Sequence, residues 1–150
     1  MSKLRALHLR FIDPVRLLPH ERHDPDHAAA LADSMRDGGI WRVPLVAERA
    51  SLVVMDGHHR LAAALALGLA RVPVLLLAYR EVPVEATRAG YAVTPEAIVA
   101  RALAGDLYPV KTTRHAFDAP LPACHVSLHL LQPRQPAPAG ITPREVALPG

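Results

Sequence analysis

The chain has 150 residues, 51% of them hydrophobic and 4% aromatic, which predicts one domain with a core of Leu, Val and Ala. Its 17 basic and 14 acidic residues leave a net charge of +3, well short of the concentrated basic face of a dedicated nucleic-acid-binding protein. Cys124 is the only cysteine, which excludes an intrachain disulfide; with no signal peptide in view, we expect a cytoplasmic protein. The most apolar helical run, Leu61 to Leu69, is far too short to cross a membrane.

The first half of the chain alternates between strand and helix patterns. The predicted elements are a strand over 4–12, a helix over 26–37, strands over 43–48 and 51–55, a helix over 61–67 and a strand over 72–79. Asp24 and Pro25 form a typical helix start, and Gly38-Gly39 a typical end. The last of these strands is almost continuously apolar, which indicates a buried central strand. The order favours an α/β fold with helices packed on a small mixed sheet.

The second half is less regular. Thr94 is a predicted N-cap for a helix that begins at Pro95 and ends at Gly105. Pro109 is expected to keep the segment 107–115 extended. A last strand is predicted over 123–131. From residue 132 onward prolines are frequent and apolar periodicity is lost, so we expect a domain over residues 1–131 and a flexible tail over residues 132–150.

The most informative segment is the turn between the third predicted strand, over 51–55, and the helix that follows it. It reads Asp56, Gly57, His58, His59 and Arg60. A helix N-terminus with free amides attracts phosphates, and the two imidazoles and the guanidinium are further donors. Asp56 is placed either to cap the helix or to hold a metal ion beside a phosphate. The alternative is an ordinary solvated Asp-Gly turn.

Two other polar clusters carry candidate functional groups. The first contains His20, Glu21, His23 and His27; its spacing argues weakly for a metal site, and Glu21 is the stronger single candidate. The second is an extended basic segment with two hydroxyls, which could equally be a solvated loop: Lys111, Thr112, Thr113, Arg114 and His115.

Taken together, three segments in this order resemble the free L-serine kinases of the ParB-like nuclease (sulfiredoxin-like) superfamily. They are Leu17 to Glu21, Asp56 to Arg60 and Pro109 to His115. The resemblance implies phosphoryl transfer from ADP or ATP to the hydroxyl of free serine, giving O-phosphoserine, with Mg²⁺ bridging the phosphates. It implies that Glu21 is the catalytic carboxylate, with Asp56 as a second candidate. The turn would bind nucleotide phosphates.

The same resemblance assigns serine binding to the segment from Lys111 to His115, and above all to Thr113, Arg114 and His115. The expected partners are therefore a nucleotide and free serine, with neither membrane nor nucleic acid, in a monomer or homodimer. One alternative is a ParB-type nucleotide-dependent DNA-binding module, for which no helix-turn-helix or basic stripe is evident. Another is a sulfiredoxin-like reductase, which needs a reactive cysteine beside the turn.

Overall fold

The computed structural model of the chain describes residues 8–133. The strands are β1 His8–Ile12, β2 Ile40–Trp41, β3 Leu45–Glu48, β4 Val54–Asp56, β5 Val72–Leu77, β6 Val84–Ala86, β7 Thr113–His115 and β8 Val126–Ser127. The helices are α1 Pro25–Gly38, α2 His58–Ala66, α3 Pro95–Ala104 and α4 Leu128–Leu131, with 3₁₀ turns at Pro14–Arg16 and Tyr79–Glu81. No helix in the described part is long and apolar enough to span a bilayer.

The main sheet has four strands in the order β1-β5-β3-β4. The pair β3–β5 is parallel, whereas β1–β5 and β3–β4 are antiparallel. The small mixed sheet expected from the sequence is thereby confirmed. The predicted central strand is also confirmed, since five of the six residues of β5 are buried. Such an unbroken apolar run fits a strand covered on both faces.

A hydrophobic core lies on each face of this sheet, because consecutive strand residues point to opposite sides. Leu45 and Ala47 belong to one core, together with Leu61 of α2 and Trp41. Val46 belongs to the other core, in which α3 takes part through buried residues such as Ile98. The sheet is therefore sandwiched between α2 on one side and α3 on the other.

The capping residues set the helix bounds as predicted. Asp24 accepts hydrogen bonds from the amides of Asp26 and His27, at 3.0 and 3.4 Å, and Pro25 follows it at the first helical position. Gly39 ends α1 with a left-handed φ of 69°. In the same way Thr94 caps α3 and Gly105 ends it. These local signals are strong because they satisfy the unpaired groups of helix ends.

Two expectations about the second half are wrong. The strand predicted over 123–131 shrinks to β8, and a helical turn follows, in which Ser127 accepts a hydrogen bond from the amide of His129. Leu128 and Leu131 are both buried, and their spacing of three suits one face of that turn. The segment 107–115 is not extended throughout, since Lys111 has φ 58° in a turn. The predictions for residues 4–7 and for residues 134–150 of the tail fall outside the described residues.

Candidate active site

The three segments singled out in the sequence meet around one cavity of about 490 Å³. Its lining residues come from the segment after Leu17, from the turn before α2 and from the segment after Pro109, with a few from α1 and β4. They are Glu21, His27, Leu31, Met55, Asp56, Gly57, His58, His59, Arg60, Lys111, Thr113, Arg114 and His115. Of the predicted site residues only Thr112 is missing from this lining.

The segment after Leu17 lies between the other two because its backbone pairs on both sides. The amide of Leu18 donates to the Leu52 carbonyl, and the amide of Val54 donates back to Leu18, at 3.0 and 2.8 Å. On the other side the amide of Tyr108 donates to the His20 carbonyl and the amide of Arg22 donates to Tyr108. Glu21 is therefore held by main-chain hydrogen bonds at the centre of the cavity wall.

The turn before α2 depends on Gly57. Its φ is 108°, and a Cβ at this position would overlap the Leu45 side chain and lie 3.1 Å from Arg60 Nη2. Gly57 is itself the N-cap and offers no side-chain hydrogen bond, so the amides of the first turn remain free for a ligand. The expectation that Asp56 caps this helix is wrong, because Asp56 is the last residue of β4 and its side chain pairs with Arg60.

The Asp56–Arg60 pair joins an oxygen Oδ2 to a guanidinium nitrogen Nη2 at 2.9 Å. The Arg60 side chain is 20% exposed and that of Asp56 45% exposed. Arg60 Nε is the only buried side-chain nitrogen or oxygen in the described part of the chain that has no hydrogen-bond partner. Because Arg60 also lines the cavity, its guanidinium is suited to an anion bound there.

The two imidazoles of the turn, His58 and His59, each accept a hydrogen bond from a backbone amide on Nε2. His58 Nε2 accepts from the backbone amide of His20 at 3.2 Å, and His59 Nε2 accepts from the amide of Asp24 at 3.0 Å. An accepting Nε2 carries no proton, so the proton of each neutral ring is on Nδ1. Burial, reinforced by neighbouring imidazoles, lowers the pKa of both rings, that of His58 strongly. Both therefore offer an uncharged Nδ1–H donor at neutral pH.

The Glu21 carboxylate stabilises the turn at Lys111 by accepting hydrogen bonds from its backbone amides. Its Oε1 accepts from the amide of Lys111 at 3.0 Å. Its Oε2 accepts from the amides of Thr112 and Thr113, at 3.2 and 2.9 Å, and from the Thr113 hydroxyl at 2.8 Å. Oε1 is thus the less occupied oxygen. The carboxylate is fixed in position without any lysine or arginine partner in the described residues.

The residues expected to bind serine have different surroundings. The hydroxyl of Thr112 is buried and donates to the Pro109 carbonyl at 2.7 Å, so its side chain is used inside the fold and does not face the cavity. Arg114 is exposed at the rim and pairs with Glu85 of β6 at 3.1 Å. His115 Nε2 is hydrogen-bonded to the hydroxyl of Tyr79 at 2.9 Å. Burial and the neighbouring His20 lower the pKa of His115 to about 3.

Comparison with known proteins relates this site to two kinds of relative. No protein-family model matches the chain. An ATP-dependent L-serine kinase from Staphylothermus marinus is 35% identical over 72 residues, which are 45% of this chain and 29% of that protein. A ParB-like protein from Sulfolobus acidocaldarius is 28% identical over 91 residues, which are 61% of this chain and 45% of that protein. The chain therefore spans less than half the length of these relatives.

Solved structures decide the fold. A glutamate-to-alanine mutant of a free serine kinase in complex with ADP superposes with a TM-score of 0.74 at 16% identity, covering 82% of this chain and 93% of that one. The chain has the free serine kinase fold. A conserved hypothetical protein from Pyrococcus furiosus (TM-score 0.74, 16% identity, 83% of this chain and 97% of that one) shares this fold. So does SbnI with a C-terminal truncation from Staphylococcus aureus, with a TM-score of 0.75 at 15% identity over 91% of this chain and 93% of that one.

The resemblance drawn from three short segments is thereby confirmed for the free serine kinase fold, and the alternatives are not favoured. Cys124 is outside the cavity lining, its thiol lies 3.5 Å from the Trp41 carbonyl, and burial raises its pKa. It therefore lacks the properties of a reactive cysteine beside the turn before α2.

Three residues that support the cavity wall were not predictable from the sequence. His20 was considered only as a metal ligand, but its ring is completely buried, with Nδ1 2.7 Å from the Val54 carbonyl oxygen and Nε2 2.8 Å from the Thr113 hydroxyl. Within residues 8–133 no group of three or more His, Cys, Asp or Glu side chains is arranged to hold a metal ion. Tyr79 and Glu85 were not singled out at all. Their contacts join distant parts of the chain, so no local pattern could have found them.

Proposed function

We propose that this chain transfers a phosphoryl group from ATP or ADP to the hydroxyl of free L-serine, giving O-phospho-L-serine. One observation carries the proposal: a fixed carboxylate, Glu21, shares a single cavity with an uncapped helix N-terminus. Phosphoryl transfer needs charge stabilisation for the phosphates and a base beside the attacking hydroxyl, and these two features supply both.

The phosphates would bind at the start of α2. The free amides and the dipole of this helix favour negative charge, and His58 and His59 add uncharged Nδ1–H donors. Arg60 lines the same cavity and supplies the positive charge of its guanidinium. Because the imidazoles are neutral, their bonds to the phosphates fix geometry, and the guanidinium provides most of the side-chain charge.

Asp56 fits a supporting role for Mg²⁺. One of its oxygens is bonded to Arg60, and the carboxylate is still 45% exposed, so its other oxygen can serve a cation at the cavity edge. Mg²⁺ is usually held by one or two carboxylates together with substrate phosphates, which matches this single acid. When bound, the ion would neutralise charge on the phosphates.

Serine would lie between Glu21 and the segment after Pro109. Arg114 at the rim can exchange its exposed Glu85 partner for the substrate carboxylate, which a guanidinium binds through two parallel hydrogen bonds. The side chains of Lys111 and His115 complete this wall of the cavity. Glu21 would accept the hydroxyl proton on Oε1, the oxygen that has only one partner.

The decisive experiment incubates the purified chain with L-serine, Mg²⁺ and either ATP or ADP, and follows O-phosphoserine by mass spectrometry. The nucleotide that gives product identifies the donor. L-Threonine and L-homoserine in place of serine measure acceptor specificity. We expect product with wild type and with Glu96→Gln, a change on the exposed first turn of α3, and almost none with Glu21→Gln. Absence of serine-dependent product with both nucleotides would refute the proposed function.

A further inference from the structure

The ring of His20 has a fixed tautomer. Its Nδ1 lies 2.7 Å from the carbonyl oxygen of Val54, and a carbonyl only accepts, so Nδ1 carries a proton. Burial is the main cause that lowers the pKa of His20, so the ring is neutral near pH 7. A neutral ring protonated on Nδ1 has a free lone pair on Nε2. This nitrogen is therefore an acceptor in need of a donor.

The hydroxyl of Thr113 is placed between two acceptors. It lies 2.8 Å from His20 Nε2 and 2.8 Å from Glu21 Oε2. A hydroxyl has one proton to donate, so it can serve only one of them at a time. While Glu21 is a carboxylate, the hydrogen bond to its charged oxygen is the stronger one. His20 Nε2 is then left without a donor.

We propose that the Thr113 hydroxyl is a two-position switch that follows the charge of Glu21, and that His20 is the second acceptor that allows it to turn. The proposal rests on the proposed function in one respect, that Glu21 takes the proton of serine. As the serine O–H bond breaks, its electron pair stays on the attacking oxygen and a new O–H bond forms on Glu21 Oε1. Oε2 becomes an uncharged carbonyl oxygen and a weaker acceptor, and the Thr113 hydroxyl turns to His20 Nε2.

The switch makes Thr113 and His20 positioning residues that have opposite effects on the basicity of Glu21. Thr113 stabilises the carboxylate form of Glu21 and so makes it a weaker base. His20 stabilises the arrangement that follows proton uptake and so makes Glu21 a stronger base. A purely structural role for either residue would not give shifts of opposite sign.

Other titratable groups surround His20, Glu21 and Thr113, and their positions must be unchanged in the variants. The rings of His58, His115 and Tyr108 pack against His20. Around the cavity the other charged or titratable neighbours are His27, Asp56, His59, Arg60, Lys111 and Arg114.

The first test measures kcat and KM of serine phosphorylation as a function of pH. Thr113→Val removes the hydroxyl but keeps the backbone amide on Glu21, and should move the acid midpoint of the kcat profile up by about one pH unit. Thr113→Ser should restore the wild-type midpoint. His20→Asn keeps a donor near the Nδ1 position for Val54 but has no Nε2, and should move the midpoint down and lower kcat several-fold. KM for serine should change little, which separates this role from direct serine binding.

The second test does not need activity. Nitrogen-15 NMR of the imidazoles should show His20 protonated on Nδ1, with an Nε2 resonance that moves toward its hydrogen-bonded value as Glu21 is protonated. Glu21→Gln, whose side chain is uncharged, should give that hydrogen-bonded value already at neutral pH. Thr113→Val should abolish the response.

The outcomes separate the two proposals. Midpoints that move in the same direction in Thr113→Val and His20→Asn, a proton on Nε2, or an Nε2 resonance that ignores Glu21 would each overturn the switch. If wild type makes no phosphoserine but the NMR response is present, the proposed function fails and the switch stands as a charge-dependent hydrogen bond.

Discussion

Replacing Gly57 by alanine tests how closely the turn must approach its neighbours. The new Cβ would be at φ 108° and would overlap the Leu45 side chain in the core. A left-handed backbone costs a non-glycine residue roughly 1–2 kcal/mol, and overpacking a core roughly 1–3 kcal/mol more. We therefore expect Gly57→Ala to lower the free energy of unfolding by about 2–5 kcal/mol, measured by urea denaturation followed by circular dichroism.

Gly90 provides a matched control. Its φ is 86°, but an added Cβ would have no neighbour within 4 Å. Gly90→Ala should therefore cost only the backbone term, about 1–2 kcal/mol, and both variants share the same gain from a stiffer unfolded chain. The difference between the two isolates the contact with Leu45. If the two variants unfold at the same urea concentration, the turn is not tightly packed and the reasoning is wrong. Nucleotide affinity by calorimetry should fall for Gly57→Ala alone.

Four further predictions concern the cavity. Glu21→Gln should lower turnover roughly 10²–10⁴-fold with little change in nucleotide affinity; near-normal turnover would exclude a general base. Arg60→Ala should weaken nucleotide binding by about 1.5–3 kcal/mol in calorimetry, and an unchanged affinity would exclude a phosphate contact. Arg114→Lys should raise KM for serine but spare nucleotide binding, because lysine lacks the two-pronged geometry; loss of the nucleotide instead would place this residue at the phosphates. The lowered pKa of His115 means that unfolding binds a proton below pH 6.5, so stability should fall by about 1.4 kcal/mol per pH unit from 6.5 toward 3. His115→Gln should remove that part of the slope in urea denaturation; an unchanged slope would contradict it.

Features that depend on neighbours in sequence were predictable. The start of α1 follows from Asp24 and Pro25, and its end from Gly39, because each acts on backbone groups within one helical turn. The run from Val72 to Leu77 has the composition of a doubly covered strand. The strand expected over 123–131 failed because Leu128 and Leu131 also fit one face of a helical turn. An apolar pattern this short does not distinguish the period of a strand from that of a helix.

The members of the site were largely predictable, but their contacts were not. Asp56 precedes a helix, which suggests a cap, yet β4 continues through it and its side chain reaches Arg60 instead. Glu21 was predicted to be a base, but nothing in the sequence showed that its carboxylate also binds the amide of Lys111, about 90 residues away. The role of His20 depends on Val54 and Thr113, and pairings over such separations arise only when the chain folds.

The Glu21 carboxylate is bound mainly by backbone amides, so the side chains of the residues that carry these amides can be substituted without loss of the hydrogen bonds. The amides that it binds belong to residues 111–113, and every amino acid except proline has such an amide. The backbone imposes one further preference, since φ 58° at Lys111 suits glycine or asparagine as well as the residue found there. Substitution of the side chain at 111 can thus reshape this wall of the cavity while the Glu21 carboxylate keeps its position. Under the proposed function, a cavity built in this way can acquire a new amino-acid substrate without first rebuilding its base.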